Sequence, residues 1–263
     1  MLLEMHVKLR RGHFDLSTQF QVSNDSVGLL GQSGAGKTTL LGMIAGDVKP
    51  QSGSIILDGE ILYDSRKGIA LPSEKRPVGA VLEGDFAVAS GTVRDCLNAA
   101  YRDALSSRRL FEPDDLIEAL ALGSVLDERV SELSGVERLR VNLAQALLKS
   151  PKLLLLDDTF AAIGYSYRTQ LLPIFKKLQS QLALSVVYAS QSLGEILELT
   201  DQLIVMDHGQ ILHYGSLREV AKQKGGLRYL GIRQIDNILP VSLREHDVLA
   251  GYSKADCFGA GLH

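Results

Sequence analysis

The segment at 31–38 constrains this chain more than any other part of its sequence. It reads GQSGAGKT, which matches the G-x-x-x-x-G-K-[ST] pattern of a loop that binds phosphate groups. The apolar run SVGLL precedes it and TTLLGMIA follows it, as expected for a loop between a buried strand and a helix. A structural glycine-rich turn is the alternative interpretation. The surrounding pattern favours a nucleotide site on an α/β core.

Each residue of this loop has an expected role. Glycines allow backbone N–H groups to point at phosphate oxygens beside a helix N-terminus. The side chain of Lys37 can reach the β- and γ-phosphates, and the hydroxyl of Thr38 can bind Mg²⁺. The residues expected to bind the nucleotide are Gly31, Gln32, Ser33, Gly34, Ala35, Gly36, Lys37, Thr38 and Thr39.

Two adjacent aspartates end an apolar run at 153–158, which reads LLLLDD. A solvated turn after a core strand would explain the pair without any function. Alternatively, the strand carries a metal-and-water site, because adjacent carboxylates repel each other unless a cation offsets their charge. Given the phosphate loop, we expect Asp157 to hold Mg²⁺ through water and Asp158 to face the attacking water.

Composition limits the classes of protein to which the chain can belong. With 263 residues, 45% of them hydrophobic, it fits one large domain or one domain with an appendage. A net charge of −3 provides no electrostatic footprint for nucleic acid, so no such partner is expected. No stretch approaches the roughly 18 apolar residues of a membrane span. Membrane association is therefore expected only through a partner, without direct insertion.

The order of elements predicts the fold class. Short β-rich runs open the chain, and alternating buried strands and helices then indicate a doubly wound α/β core. Residues 92–149 are largely helical, with Thr92 as an expected N-cap and Ser134 leading the last helix. From about Gly225 onward the pattern loosens, and no element is assigned there.

The stretch ELSGVERLRVNLAQALLKSPKLLLLDD resembles the ATP-binding subunits of ABC transporters, from their signature motif into their second nucleotide motif. The resemblance covers roughly residues 1–220. It implies a P-loop NTPase core with an N-terminal antiparallel β-subdomain and a helical subdomain inserted at about 84–150, with ATP and Mg²⁺ as cofactors. It also implies a homodimer in which Ser134 and Gly135 begin the signature helix and touch the γ-phosphate bound to the opposite subunit.

Within the family, two segments are similar in sequence to the molybdate-type importer ATPases. They are SGSIILDGEILYDSRKGIALPSEKRPVGAVL and TDQLIVMDHGQILHYGSLREV. This similarity implies a peripheral subunit on the cytoplasmic face of the plasma membrane. There it would couple the binding and hydrolysis of Mg-ATP to integral-membrane permease subunits. Residues 225–263 resemble only the entrance of the oxyanion-binding domain of these importers, so a C-terminal extension is expected rather than a folded second domain.

Five positions depart from the family's pattern, and they cluster at the expected chemistry. Glu83 replaces a glutamine, Val136 the second signature glycine and Asp158 the general-base glutamate. Gly164 replaces an aspartate of the following loop, and Gln191 the switch histidine. The resemblance nonetheless implies Asp158, Glu83 and Gln191 as the catalytic residues. It implies Thr38, Asp157 and Glu83 as the residues around the metal.

The departures suggest weakened hydrolysis. Glu83 adds negative charge, and Gln191 can donate a hydrogen bond but cannot become cationic, so the phosphate charge is less neutralised. Sequence drift at tolerant positions would explain each change singly. The leading hypothesis is an importer ATPase. A non-hydrolytic ATP-binding regulator and an ATPase without a membrane partner remain alternatives. The residue that stacks on adenine is open between His13 and Phe14, although a core position also suits Phe14.

Overall fold

The computed structural model describes residues 2–12, 14–23, 26–82, 91–104, 109–160, 165–182, 184–230, 242–247, 252–257 and 260–262. The strands are β1 (Leu3–Arg11), β2 (Phe14–Val22), β3 (Val27–Leu30), β4 (Ser52–Leu57), β5 (Glu60–Asp64), β6 (Ile69–Ala70), β7 (Val78–Val81), β8 (Leu153–Asp157), β9 (Ser185–Ser190), β10 (Gln202–Asp207), β11 (Gln210–Ser216), β12 (Ser242–Asp247), β13 (Tyr252–Cys257) and β14 (Ala260–Leu262). The helices are α1 (Lys37–Ala45), α2 (Val93–Asp103), α3 (Pro113–Ala119), α4 (Gly135–Leu148), α5 (Tyr165–Leu182), α6 (Leu193–Leu197), α7 (Leu217–Lys222) and α8 (Gly226–Tyr229).

A six-stranded sheet forms the centre of the fold, in the order β11-β10-β3-β9-β8-β7. Its strands run parallel except for β11, which pairs antiparallel with β10. Every residue of β3, β8 and β9 is buried, as expected for strands covered on both faces. The predicted α/β class is confirmed.

The run of leucines in β8 follows from this double burial. Because successive side chains of a strand point to opposite faces, Leu153 and Leu155 pack into one core and Leu154 and Leu156 into another. The first core joins the sheet to α1 and the N-terminal strands, and the second joins it to the helical segment. A strand between two cores has no face left for polar residues.

The N-terminal part of the chain forms an antiparallel sheet, as the sequence predicts. Its order is β2-β1-β4-β5-β6, and β1 and β2 alternate buried and more exposed residues. Between β7 and β8 the chain forms α2, α3 and α4. Thr92 is confirmed as an N-cap, and Ser134 is the N-cap of α4. Each takes part in a capping box, with Asp95 and Glu137 respectively.

A third sheet, in the order β12-β13-β14, lies in the region where the sequence assigned no element. Both of its strand pairs are antiparallel, and the pairing of β12 with β13 shifts register between Leu243 and Glu245.

Candidate nucleotide site

The phosphate loop connects β3 to α1, as the sequence predicts. Gly34 and Gly36 have φ of 81° and 105°, a left-handed conformation that favours glycine. A Cβ at Gly36 would lie 2.7 Å from the ring of Phe14, and one at Gly31 would lie 2.5 Å from the carbonyl oxygen of Met206. The loop therefore holds its backbone in a shape that larger residues would disturb.

Lys37 places a positive charge inside this loop. The residue is 6% exposed, and its Nζ donates a hydrogen bond to the carbonyl oxygen of Gly31 at 2.9 Å. The same Nζ lies 4.0 Å from Oδ2 of Asp158. A buried ammonium that points into a loop of backbone amides suits a polyphosphate.

The two aspartates separate at the end of β8. Asp157 is 2% exposed, and its Oδ2 accepts a hydrogen bond from Oγ1 of Thr38 at 2.5 Å. Asp158 has a left-handed φ of 43°, and its Oδ1 accepts the backbone N–H of Gln191 at 3.3 Å. The carboxylate of Asp157 thus contacts α1, and that of Asp158 contacts both Lys37 on α1 and the turn after β9.

The strand order explains how these groups meet. β9 lies between β3 and β8, so the strand that ends at Asp157 is not a neighbour of the strand that leads into the phosphate loop. Helix α1 packs against β8, and this packing brings Thr38 to Asp157.

A cavity of about 280 Å³ collects most of the predicted residues. It is lined by Phe14, Ser33, Gly34, Gly36, Lys37, Thr38, Thr39, Asp158 and Gln191. Two predicted catalytic residues, Asp158 and Gln191, therefore face the phosphate loop. Phe14 is half-buried, packs against the N-terminal core and also lines the cavity. Its core position is thus observed, and stacking on adenine stays a prediction.

Three positions named from the sequence lie outside the described residues. They are Glu83, Gly164 and His13. Their roles stay predictions.

Ser134 and Gly135 do not line this cavity. Both are exposed at the start of α4, and an added Cβ at Gly135 would meet nothing within 4 Å. Hydrogen bonds from the Ser134 hydroxyl and backbone N–H lower the pKa of Glu137. Val136 is half-buried and packs against the core of the helical segment.

Sequence reasoning missed a polar cluster beside Gln191. Glu195 on α6 is buried, and its carboxylate contacts Arg168, Tyr188 and Ser190. Burial raises the pKa of Tyr188, and the nearby charge of Glu195 raises it further. A glutamate in LGEIL is an ordinary residue for an exposed helix, so the sequence carried no signal for its burial.

The described part of the chain contains no helix long and apolar enough to cross a membrane. Within those same residues, no group of three or more His, Cys, Asp or Glu side chains forms a candidate metal site.

The family model described as "ABC transporter" matches residues 16–161. This range contains the phosphate loop, the Ser134–Gly135 pair and both aspartates. The chain belongs to the ABC transporter family. As a member, it is an ATP-binding and ATP-hydrolysing subunit.

Curated relatives extend this ABC transporter assignment over most of the chain. The molybdenum import ATP-binding protein ModC of Paramagnetospirillum magneticum is 33% identical over 261 residues, which are 99% of this chain and 72% of the relative. ModC of Escherichia coli is 37% identical over 224 residues, 85% of this chain and 62% of the relative. The family predicted from the sequence is confirmed.

Solved structures of ABC transporter subunits share the fold. CbiO1 of Clostridium perfringens, part of a transporter complex, has a TM-score of 0.65 at 23% identity and covers 88% of this chain and 95% of its own. The ADP conformation of an ATP-binding cassette of an ABC transporter has a TM-score of 0.68 at 17% identity, over 87% and 97% of the two chains.

Proposed function

We propose that this chain is the ATP-binding subunit of a molybdate-type importer, which couples Mg-ATP binding and hydrolysis to a permease at the cytoplasmic face of the membrane. The observation that carries the proposal is the cavity that joins the phosphate loop to Asp158 and Gln191. The molybdenum import that the names of the ModC relatives state supports the substrate class. Their family also weakens the case for a non-hydrolytic regulator.

Thr38 and Asp157 would hold the Mg²⁺ ion. The hydroxyl of Thr38 and a carboxylate oxygen of Asp157 are 2.5 Å apart, and hydroxyl and carboxylate oxygens are the hard ligands that Mg²⁺ prefers. The bound ion would neutralise charge on the phosphate oxygens. Glu83 is proposed as a further neighbour of the metal and of the water.

Two copies of the chain would complete each nucleotide site. Ser134 and Gly135 are exposed and lie outside the cavity of their own chain, so they remain available to a phosphate bound by a partner. The backbone N–H groups that begin α4, a helix of 14 residues, would point at the γ-phosphate of that nucleotide.

Val136→Gly is expected to tighten the ATP-dependent dimer, because it removes a branched side chain beside this proposed contact. The same change removes packing from the helical segment and adds a flexible residue, so the free energy of unfolding should fall by about 1–2 kcal/mol. Sedimentation velocity with Mg-ATP measures the dimer. Val136→Ala is the matched control, since it removes the branch and keeps helix propensity. A weaker dimer in both variants would mean that Val136 packs productively.

A groove of about 770 Å³ would receive the permease. It lies between α2, α4 and β7, and small residues such as Ala99 and Ala100 form part of its wall. Val81 also lines it and is two residues before Glu83 in the sequence, and the segment that carries Glu83 is proposed to meet the permease. Its lining carries four acidic and two basic residues, which favours a basic segment of the partner: Asp47, Glu74, Asp95 and Asp103, with Arg102 and Lys149.

Ala99→Tyr tests this docking. The tyrosine would occupy the groove, and we expect affinity for the detergent-solubilised permease to fall by about tenfold or more, or about 1.4 kcal/mol. ATP-dependent molybdate uptake into proteoliposomes should fall with it, while the Kd for Mg-ATP stays unchanged. Asn98→Tyr is the matched control, because Asn98 is exposed on the same helix and does not line the groove. Equal transport by both variants would exclude the groove as the docking site of the permease. If the proteoliposomes take up a different oxyanion and no molybdate, that oxyanion would replace molybdate as the proposed substrate.

A further inference from the structure

A largely buried ion pair links the helix after Asp158 to α6, which follows the turn that carries Gln191. Nη1 of Arg168 on α5 lies 2.5 Å from Oε1 of Glu195 on α6. Their side chains are 21% and 10% exposed. The other carboxylate oxygen, Oε2, accepts the hydroxyl of Tyr188 at 2.9 Å and that of Ser190 at 2.8 Å.

Stability alone gives a weak reason for such a pair. Removing two charges from water costs much of what their attraction returns, so apolar residues of similar volume often stabilise a fold as well. Tyr188, which donates to Glu195, packs against Phe160 in an extensive apolar core. The geometry of the ion pair therefore points to a role in holding neighbouring groups in place.

The group that it holds is the turn after β9. The hydroxyl of Ser190, fixed on Glu195, accepts the backbone N–H of Ser192 at 3.1 Å. The hydroxyl of Ser192 in turn accepts the backbone N–H of Glu195 at 3.4 Å. Gln191 lies between these two serines, and its own N–H contacts Asp158. One side of the turn is thus fixed to the carboxylate of Glu195, and the other side to the backbone of the same residue.

Arg168 extends this arrangement to helix α5. Helix α5 begins at Tyr165, seven residues after Asp158 in the sequence, and Arg168 lies in its first turn. The ion pair therefore connects the chain that leaves Asp158 to the turn whose backbone contacts Asp158. A shift of α5 relative to β9 would change the position of Gln191.

We infer that Arg168 and Glu195 are positioning residues for ATP hydrolysis, which hold the Gln191 turn against Asp158 beside the phosphate loop. This inference rests on the proposed catalytic roles of Asp158 and Gln191. Neither Arg168 nor Glu195 lines the nucleotide cavity, so neither is expected to contribute to ATP affinity.

Glu195→Gln separates positioning from binding. The amide cannot balance the charge of Arg168, and we expect the single-turnover rate of hydrolysis to fall by about 10- to 100-fold, as for a displacement on the order of 1 Å. The Kd for Mg-ATP, measured by calorimetry, should stay within about twofold of wild type. Tyr188→Phe, which removes one donor and keeps the ring, should show the same split with a smaller loss of rate, and it decides the question if Glu195→Gln does not fold. Lys152→Met, which breaks the pair with Asp58 at the opposite end of β8, should change neither quantity.

A double-mutant cycle with Asp158→Ala tests the route of the effect. If Glu195 acts by holding the turn against Asp158, its replacement should cost less than about threefold in rate once the carboxylate of Asp158 is absent. Any of three results would overturn the inference. The losses of rate in the two single variants could multiply in the double variant, the rate could be unchanged in the single variants, or the Kd could weaken together with the rate. A wild-type chain that fails to bind Mg-ATP would instead refute the proposed function.

Discussion

Lys37→Ala is expected to abolish Mg-ATP binding or to weaken it severely. Lys37 is the one cation among the described residues that line the cavity, and it is almost fully buried. Truncating one partner of a buried, hydrogen-bonded charge pair costs about 2–5 kcal/mol, which is about 30-fold to several thousandfold in affinity. Isothermal titration calorimetry measures the loss directly.

Lys37→Met separates the charge from the packing. Methionine keeps most of the volume of the side chain and removes the ammonium, so both variants should lose binding to a similar extent. Lys152 precedes β8, at the end of the strand opposite to Asp157, so Lys152→Met should retain the wild-type affinity for Mg-ATP. Unchanged affinity in Lys37→Ala and Lys37→Met would mean that the phosphates bind elsewhere.

The second large effect is expected from restoring two departed residues together. Asp158→Glu with Gln191→His should raise the rate of hydrolysis by more than the product of the two single gains. A carboxylate that is one methylene short is displaced on the order of 1 Å, which costs roughly a hundredfold. The missing imidazole removes a donor whose loss at comparable sites costs roughly 3 kcal/mol.

The contact between these residues is the reason to expect coupling. Both line one cavity, and the backbone N–H of Gln191 donates to Asp158, so they act on one transition state and their effects should not be additive. Single-turnover hydrolysis by the four proteins of the cycle measures the coupling. Asp158→Asn is the control, and it should lower the rate of hydrolysis both in the wild type and in the Gln191→His variant. No gain in the double variant would mean that Asp158 is already a competent base.

The local part of the site could be read from the sequence. The phosphate loop depends on a short pattern between a strand and a helix, and the cap at Ser134 depends on a glutamate three residues later. The proximity of Asp157 to Thr38 could also be expected, because parallel strands bring their carboxyl ends to one edge of the sheet. These features are encoded within a few residues or by a general rule of topology.

Features that depend on long-range packing could not be predicted. The position of β9 between β3 and β8 follows from strand pairing that no local pattern reports. The left-handed φ of Asp158 occurs where the chain leaves the sheet, and no local residue pattern indicates it. The burial of Glu195 requires Arg168, which is 27 residues away in sequence.

The strand β12 was missed for a different reason. It reads SLREHD, with a single apolar residue, so it lacks the alternation of apolar and polar residues that indicates a strand. Its pairing with β13 shifts register after Leu243, which further obscures any pattern.

The most direct test of this chain as an ATPase is single-turnover hydrolysis of radiolabelled Mg-ATP by the purified wild-type protein and by Lys37→Ala in parallel. We expect the wild type to release phosphate, more slowly than the Asp158→Glu, Gln191→His double variant, and Lys37→Ala to release none above background. Phosphate release by the wild type that is no faster than in Lys37→Ala, despite bound ATP, would contradict hydrolysis and favour a non-hydrolytic regulator.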